Sequence, residues 1–327
     1  MIAIKSRRGV LQRTLANPVR YQGIGLHSGK KVVMRIYPGN ENQGIVFLRK
    51  DVGPGRGLIK ARWNNVVTSS LCTVIRNRFG TSISTIEHLM AAFYGCGIDN
   101  ALVEVDGPEV PIMDGSALAY TAAFRHVGTL QQNNVRSGIR ILRPIEIRDN
   151  GKYAAIIPSD TIQLSIKIDF PNTIIGKQTY TFQPVNNDFY TDIAKARTFG
   201  FSNQITILKK QGLIKGGSLQ NAILVNGYHI VNKERLRYQD EFVRHKMLDC
   251  IGDLSLFGMP IIGHFIAIKP GHELNNHFMR HLYRQRDAWS YITLDPLNAR
   301  PIPNHNDNDN NHAPPPHSTT KKQTTCY

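Results

Sequence analysis

Glu87-His88 and, far downstream, His245-Lys246-Met247-Leu248-Asp249 carry the residue types of a hydrolytic metal site. If the chain from Glu241 to Gly252 is helical, His245 and Asp249 sit one above the other on one face, as two ligands of one ion require. His88 then supplies a third ligand and leaves a fourth tetrahedral position for water, the arrangement of a catalytic zinc. Glu87, beside a ligand, is placed to take the proton from that water. Plainer readings stand alongside. A His and an Asp four apart are more often a solvated pair than a metal site. Ser84-Thr85-Ile86-Glu87 also fits a capping box, in which Glu87 reaches back to the Ser84 amide and only starts a helix.

The elements needed to position these residues recur along the chain. His88 opens an apolar helical run (Leu89, Met90, Ala92, Phe93) that ends at Gly95 and Gly97, and a strand from Ala101 to Val105 follows. His245 opens a second run (Met247, Leu248, Ile251, Leu254) that ends near Gly258, followed by a strand from Ile261 to Ile268. Two helix-then-strand units, each with a ligand candidate near a helix start, point to related halves facing across one site. Strands are also expected at Val19 to Gln22, Lys31 to Ile36, Ile139 to Ile147, Tyr153 to Ile157 and Ile162 to Ile168. Helices are expected at Ser116 to Val127 and Asp188 to Arg197. The glycine-rich loop from Gly23 to Gly29 lacks the spacing of a phosphate-binding motif.

A chain of 327 residues can bury a large core and is expected to form two domains. They are placed at 11–132 and 138–298, with an N-terminal extension over 1–10 and polar residues from Gln131 to Ser137 between the two. From Ala299 the composition turns to Asn, Asp, His, Pro and Thr, so 299–327 is expected to be a disordered tail. The 41% hydrophobic and 20% charged content is that of a soluble globular protein, and no apolar run approaches a membrane span. No signal peptide is evident, and Cys72, Cys96, Cys250 and Cys326 lack C-x-x-C spacing. A cytoplasmic location with reduced thiols is therefore expected. The net charge of +16 favours anionic partners: a phosphorylated substrate, the surface of an anionic membrane in peripheral contact, or nucleic acid. The basic residues are dispersed and no zinc-finger or RNP pattern is present, so no specific nucleic-acid partner is expected.

Seven segments, in order, resemble the motifs of one family. They are Ser84 to Ala92, Gly97-Ile98-Asp99-Asn100-Ala101, Pro108 to Ser116, Ala196 to Phe201, Gly216-Gly217-Ser218-Leu219, Asp240 to Asp249 and Gly271 to Asn276. The family is that of the UDP-3-O-acyl-N-acetylglucosamine deacetylases (LpxC), and the resemblance spans roughly Leu11 to Leu297. It implies an α+β fold of two similar two-layer sheet/helix sandwich domains with the active site between them. It implies a zinc amidase that releases acetate from a UDP-linked, 3-O-acylated N-acetylglucosamine, the committed step of lipid A synthesis. A monomer is expected.

By motif, the resemblance makes His88, His245 and Asp249 ligands of one Zn2+, with Fe2+ able to occupy the same donors. Glu87 becomes the base. His272 protonates the leaving amine or stabilises the oxyanion, with the division of the acid role between Glu87 and His272 left open. Asp253 orients His272 and keeps it charged, and Thr198 is an oxyanion donor. Lys246 and Lys269 match cations near the diphosphate; Lys152 and Phe170 match uridine-binding positions. Their plainer readings are surface charge for the lysines and a core aromatic for Phe170. Leu71, Phe199, Ile205, Gly217, Ser218 and Leu224 resemble the wall of an acyl-chain passage, a pattern that core packing explains equally. Cys72 matches a thiol near the metal, and His27 matches a family histidine near the site. Gln220 and Lys215 depart from the family pattern. Two other classes are a basic nucleic-acid-binding protein and a non-catalytic UDP-sugar-binding relative.

Overall fold

The computed structural model describes residues 10–67 and 71–294. The expected tail at 299–327, Cys326 and all but the last residue of the expected N-terminal extension lie outside the described residues.

Two sheets share one topology. In the first, Ala101–Val105 is central, antiparallel to Lys31–Pro38 and parallel to Ile45–Arg49. Outside these lie Val19–Ile24 and Leu58–Lys60, each antiparallel to its neighbour. In the second, Ile261–Ile268 is central, antiparallel to Lys152–Ile157 and parallel to Ile162–Phe170. Outside these lie Ile145–Asp149 and Gly176–Phe182, again antiparallel. The second sheet adds Ser137–Ile141 and Trp289–Thr293. Along Lys31–Pro38 the buried Val32, Met34 and Ile36 alternate with exposed Lys31 and Arg35, the period of a strand with one face on a core.

Six helices complete the described α+β fold: α1 (Glu87–Gly95), α2 (Leu118–Val127), α3 (Phe189–Asp192), α4 (Ser202–Lys210), α5 (Glu241–Ser255) and α6 (His272–Arg284). α1 precedes the central strand of the first sheet and α5 that of the second, while α2 and α6 follow those strands. The repeat expected from the sequence is therefore present as a shared order of strands and helices. α1 buries eight of its nine residues because it lies against α5 on one side and α2 on another. A helix apolar all round belongs in a protein interior. α6 instead buries Leu274, Phe278, Met279 and Leu282 and turns its polar side outward.

Each half carries an insertion at the same point, just before its site helix. In the first half it is the small sheet of Val66–Val67, Val74–Arg76 and Ser82–Ser84. In the second it holds α3, α4 and a sheet of Phe199–Phe201, Ile223–Asn226 and His229–Ile230. No helix among the described residues is long and apolar enough to cross a membrane.

Three local expectations are corrected. The strand expected over Ile139 to Ile147 is two strands, Ser137–Ile141 and Ile145–Asp149. The break falls where the Leu142 and Arg143 amides bond to the Ala288 carbonyl and Pro144 has no N–H to offer a ladder. The helix expected over Asp188 to Arg197 is only α3, capped by the Asp188 carboxylate. Beyond it the backbone is held by α2 and its approach, with Ala117 N donating to Ala194 O and Thr198 N to Gly115 O. The Ser84 capping box is absent: Ser84 ends a strand, and its amide donates to the Pro108 carbonyl. The polar stretch after Gln131 is itself largely strand, since Thr129–Val135 pairs with Leu11–Leu15.

Candidate metal centre

α1 and α5 pack at close range, and the start of α1 meets the middle of α5, bringing the buried His88, His245 and Asp249 together. One ligand atom from each lies within 4.8 Å of the others. Asp249 Oδ1 is 3.6 Å from His88 Nε2 and 3.4 Å from His245 Nε2. Tetrahedral ligands on bonds of about 2.0 Å stand about 3.3 Å apart, so the spacing suits one small ion. The two imidazole planes stand at 82° with centroids 5.0 Å apart.

The protonation pattern also fits a cation. His245 Nδ1 lies 3.1 Å from the Ala196 carbonyl oxygen, which can only accept, so this nitrogen carries the proton and Nε2 keeps its lone pair. Burial pushes the His245 pKa down to about 3 against the pull of Asp249 and keeps the ring neutral. Burial would raise Asp249, but His245, which takes on charge only in strong acid, and the Lys246 ammonium outweigh it and hold the carboxyl well below its ordinary range. Asp249 Oδ2 accepts from Lys246 Nζ at 2.8 Å, whereas the buried Oδ1 has no hydrogen-bond partner. A buried bare carboxylate oxygen costs several kcal/mol unless a charge meets it, roughly the scale of an uncompensated buried ion. A divalent cation between the two imidazoles would meet it.

Beside the triad lies a second set of residues. Glu87 is buried, and its Oε2 accepts from the Thr73 amide at 2.9 Å. Its Oε1 is 3.9 Å from His272 Nε2. Burial raises the Glu87 pKa, with His272 and His88 opposing. His272, the first residue of α6, donates from Nδ1 to Asp253 Oδ2 at 2.9 Å. Burial alone would lower its pKa, but Asp253 and Glu87 raise it to about 9. Asp253 also accepts from Thr73 Oγ1 at 2.5 Å and from Asn275 Nδ2 at 2.8 Å. This places a held carboxylate and a held imidazolium side by side next to a cation site.

Thr198 lies two residues past Ala196, in a segment fixed by Arg197. Arg197 and the buried Glu241 at the start of α5 form an ion pair, Nε to Oε1 at 2.9 Å. Lys246 spends its ammonium on Asp249, and Lys269 spends its on Asp169 at 3.4 Å. Lys152 stands across its hairpin from Asp149. Phe170 packs on Phe199 and Phe201, with centroids 5.6 and 5.5 Å away, and Phe199 reaches within 6.2 Å of the His245 ring. Gly217 and Ser218 are exposed, and a Cβ at Gly217 would stand 3.2 Å from the Ile214 carbonyl oxygen, a tight contact, and 3.7 Å from Leu26. The glycine that close packing demands is Gly216, where a Cβ would stand 2.3 Å from the Gly25 carbonyl oxygen. The His27 amide donates to Glu109 Oε1 at 2.8 Å, while both of its ring nitrogens are buried without a partner.

The sequence alone assigns no site role to Thr73, Asn275, Glu241 or the Ala196 carbonyl. Asn275 and Glu241 lie inside segments already singled out, so their position was a signal. A carbonyl carries none.

Comparison with known proteins covers nearly the whole described chain. A family model described as UDP-3-O-acyl N-acetylglycosamine deacetylase matches residues 12–284. A UDP-3-O-acyl-N-acetylglucosamine deacetylase of Geobacter sp. (strain M21) is 44% identical over 287 residues, 88% of this chain and 93% of the relative. The enzyme of the same name from Histophilus somni (strain 129Pt) is 44% identical over 288 residues, 88% and 94%. That from Pasteurella multocida (strain Pm70) is 43% identical over 294 residues, 89% and 96%.

Proposed function

The chain belongs to the UDP-3-O-acyl-N-acetylglucosamine deacetylase family, and from that premise we propose that His88, His245 and Asp249 hold one zinc ion where the acetamide is cleaved. The protein is a deacetylase of lipid A biosynthesis, splitting the acetamide of UDP-3-O-acyl-N-acetylglucosamine into acetate and a free amine. The bare, buried Asp249 Oδ1 between two imidazoles is the observation that carries the metal reading. Two nitrogens and one carboxylate with an open fourth position suit catalytic zinc, and iron(II) accepts the same donors. When bound, such an ion polarises a carbonyl and lowers the pKa of water towards ~7.

The remaining steps fall to side chains. Glu87, fixed through Oε2, offers Oε1 to take the proton of the attacking water. His272, charged through Asp253, gives its proton to the departing nitrogen or stabilises the oxyanion, and Thr198 adds a hydroxyl donor. Breaking the C–N bond leaves acetate and an amine that has gained one proton. Lys246 and Lys269 supply cations for the diphosphate side of the substrate, while Lys152 and Phe170 meet the uridine, Phe170 offering a face for uracil. Phe199, Gly217 and Ser218 line the path of the acyl chain.

Metal analysis of the purified chain together with acetate release tests this reading. About one zinc or iron per chain is expected, with activity lost to a strong chelator and restored by zinc. Glu87→Gln should keep the metal and lower kcat by several orders of magnitude. Undiminished turnover in the metal-free protein would overturn the proposal.

A further inference from the structure

From Phe199 to Lys233 the chain contains no Asp or Glu, yet it holds Lys209, Lys210, Lys215 and Lys233. All four lysines are exposed. This stretch is the outer part of the second insertion, where α4 packs on Phe199–Phe201 and Ile223–Asn226 without burying a single residue. Ile205 and Leu208, three apart, form its half-buried side. Ile207 is 59% exposed and shares the outer side with Asn203 and Lys210. Leu219, Tyr228 and Val231 are exposed as well. Asn232, next to Val231, donates to the Leu219 carbonyl at 2.8 Å and so draws those two together. Tyr228 stands at the hairpin tip, where the Gly227 carbonyl accepts from the amide of the exposed Ile174 at 3.0 Å.

We propose that this outer part of the second insertion, with Ile207 and Tyr228 among its exposed apolar side chains and Lys209 and Lys210 among its cations, docks on the surface of an anionic lipid bilayer. Four of the twelve large apolar side chains exposed among the described residues fall in these 35 positions, so their exposure is concentrated where carboxylates are missing. Aliphatic side chains and a tyrosine interleaved with lysines suit the boundary between headgroups and acyl chains, where the rings and methyls sink in and the ammonium groups stay at phosphate level. A nucleic-acid backbone would use the lysines but leave the aliphatic groups in water. Ile207, Leu219, Tyr228 and Val231 are distinct from the side chains assigned to the acyl path, and Ile205 and Leu224 of that path are half-buried. Docking here depends on no metal chemistry.

The full chain is to be sedimented with vesicles of phosphatidylcholine mixed with phosphatidylglycerol, with vesicles of pure phosphatidylcholine, and incubated separately with duplex DNA. Binding to the anionic vesicles is expected to fall with salt. One lysine near an anionic surface changes partitioning about fivefold, so Lys209→Gln with Lys210→Gln should weaken it about 25-fold. Ile207→Asn with Tyr228→Ser should weaken it without changing the salt dependence. Arg20→Gln with Arg35→Gln removes the same charge from an exposed cross-strand pair on the first sheet and should leave binding unchanged. Acetate release from dissolved substrate should stay at the wild-type level in all three variants. Equal loss in the Arg20/Arg35 variant, equal binding to pure phosphatidylcholine, or DNA retention with the same dependence on Lys209 and Lys210 would overturn the proposal.

Discussion

A Cβ atom at Gly252 would stand 2.1 Å from the carbonyl oxygen of Glu87. The backbones of α1 and α5 therefore touch at this point, one residue before His88 on α1 and three after Asp249 on α5. The separation of the two helices, and with it the gap between the ligands they carry, is set by an absent side chain. Any other residue here must push the helices apart.

Gly252→Ala tests this. In an ordinary helix the change would stabilise by about 1 kcal/mol through backbone entropy. Here the added methyl meets a backbone oxygen that cannot rotate away, and overpacking costs about 1–3 kcal/mol. We expect the clash to win by about 2 kcal/mol, read as a lower urea midpoint. kcat/KM should fall on the order of 100-fold, because a shift near 1 Å at Glu87 spoils its position. A more stable or fully active variant would mean that the helices tolerate separation.

Glu241 holds the other wall of the site. It is fully buried and accepts from the Arg197 amide at 3.0 Å, Arg197 Nε at 2.9 Å, Arg197 Nη2 at 3.1 Å and the Arg237 amide at 2.6 Å. Glu241→Ala should destabilise by about 3–5 kcal/mol, because it strands the Arg197 guanidinium. Glu241→Gln keeps the shape and should lose less, about 1–3 kcal/mol. Ala196 adjoins Arg197, so both variants should weaken zinc binding about 10–100-fold through the loosened His245 ring. Competition with a chromogenic chelator reads that loss, and unchanged affinity would detach Glu241 from the metal site.

Which parts of this were legible beforehand follows from what a residue type can report. The i, i+4 pair on α5 and the apolar runs behind His88 and His245 are periodic, and periodicity marks a helix and its buried side. The central strands Ala101–Val105 and Ile261–Ile268 were placed by the same logic. The stretch after Asp188 misled because its local preference is helical, whereas the Ala194 carbonyl and the Thr198 amide are claimed by residues some 80 positions upstream, Ala117 and Gly115. Thr73 binds both Asp253 and Glu87, and nothing in its neighbours announces this. Gly252 reads from sequence as a weak spot in a helix, and only the crossing of α1 gives it a purpose.

Lys246 bears on metal affinity in a direction opposite to a supporting contact. Its ammonium neutralises Asp249 through Oδ2, and Asp249 in turn raises the Lys246 pKa against the effect of burial. A cation entering at Oδ1 is repelled by this charge. Lys246→Met should therefore tighten zinc binding at least about tenfold, since charges a few ångströms apart interact by several kcal/mol. The metal-free variant should be less stable and zinc should stabilise it more than wild type, as mass action requires. Weaker zinc binding on titration would show that Lys246 supports the site by packing.

The pairing of Glu87 with His272 predicts a bell-shaped dependence of kcat/KM on pH. Burial raises Glu87, so the active carboxylate is lost on acidification at a higher pH than an ordinary glutamate would show. His272 must be charged; its pKa is raised to about 9, so the alkaline limb should fall through that region. The cause is testable, because Asp253 does most to oppose the effect of burial. Asp253→Asn should move the alkaline limb down towards the ordinary histidine value of about 6.5 while leaving the acid limb nearly in place. The same shift acts on folding. A histidine raised from about 6.5 to about 9 stabilises the fold fully below about pH 6.5, and that contribution disappears as the pH climbs through 9. Urea midpoints of wild type should decline across this window more steeply than those of Asp253→Asn. Matching alkaline limbs in the two proteins would assign that limb to a group other than His272.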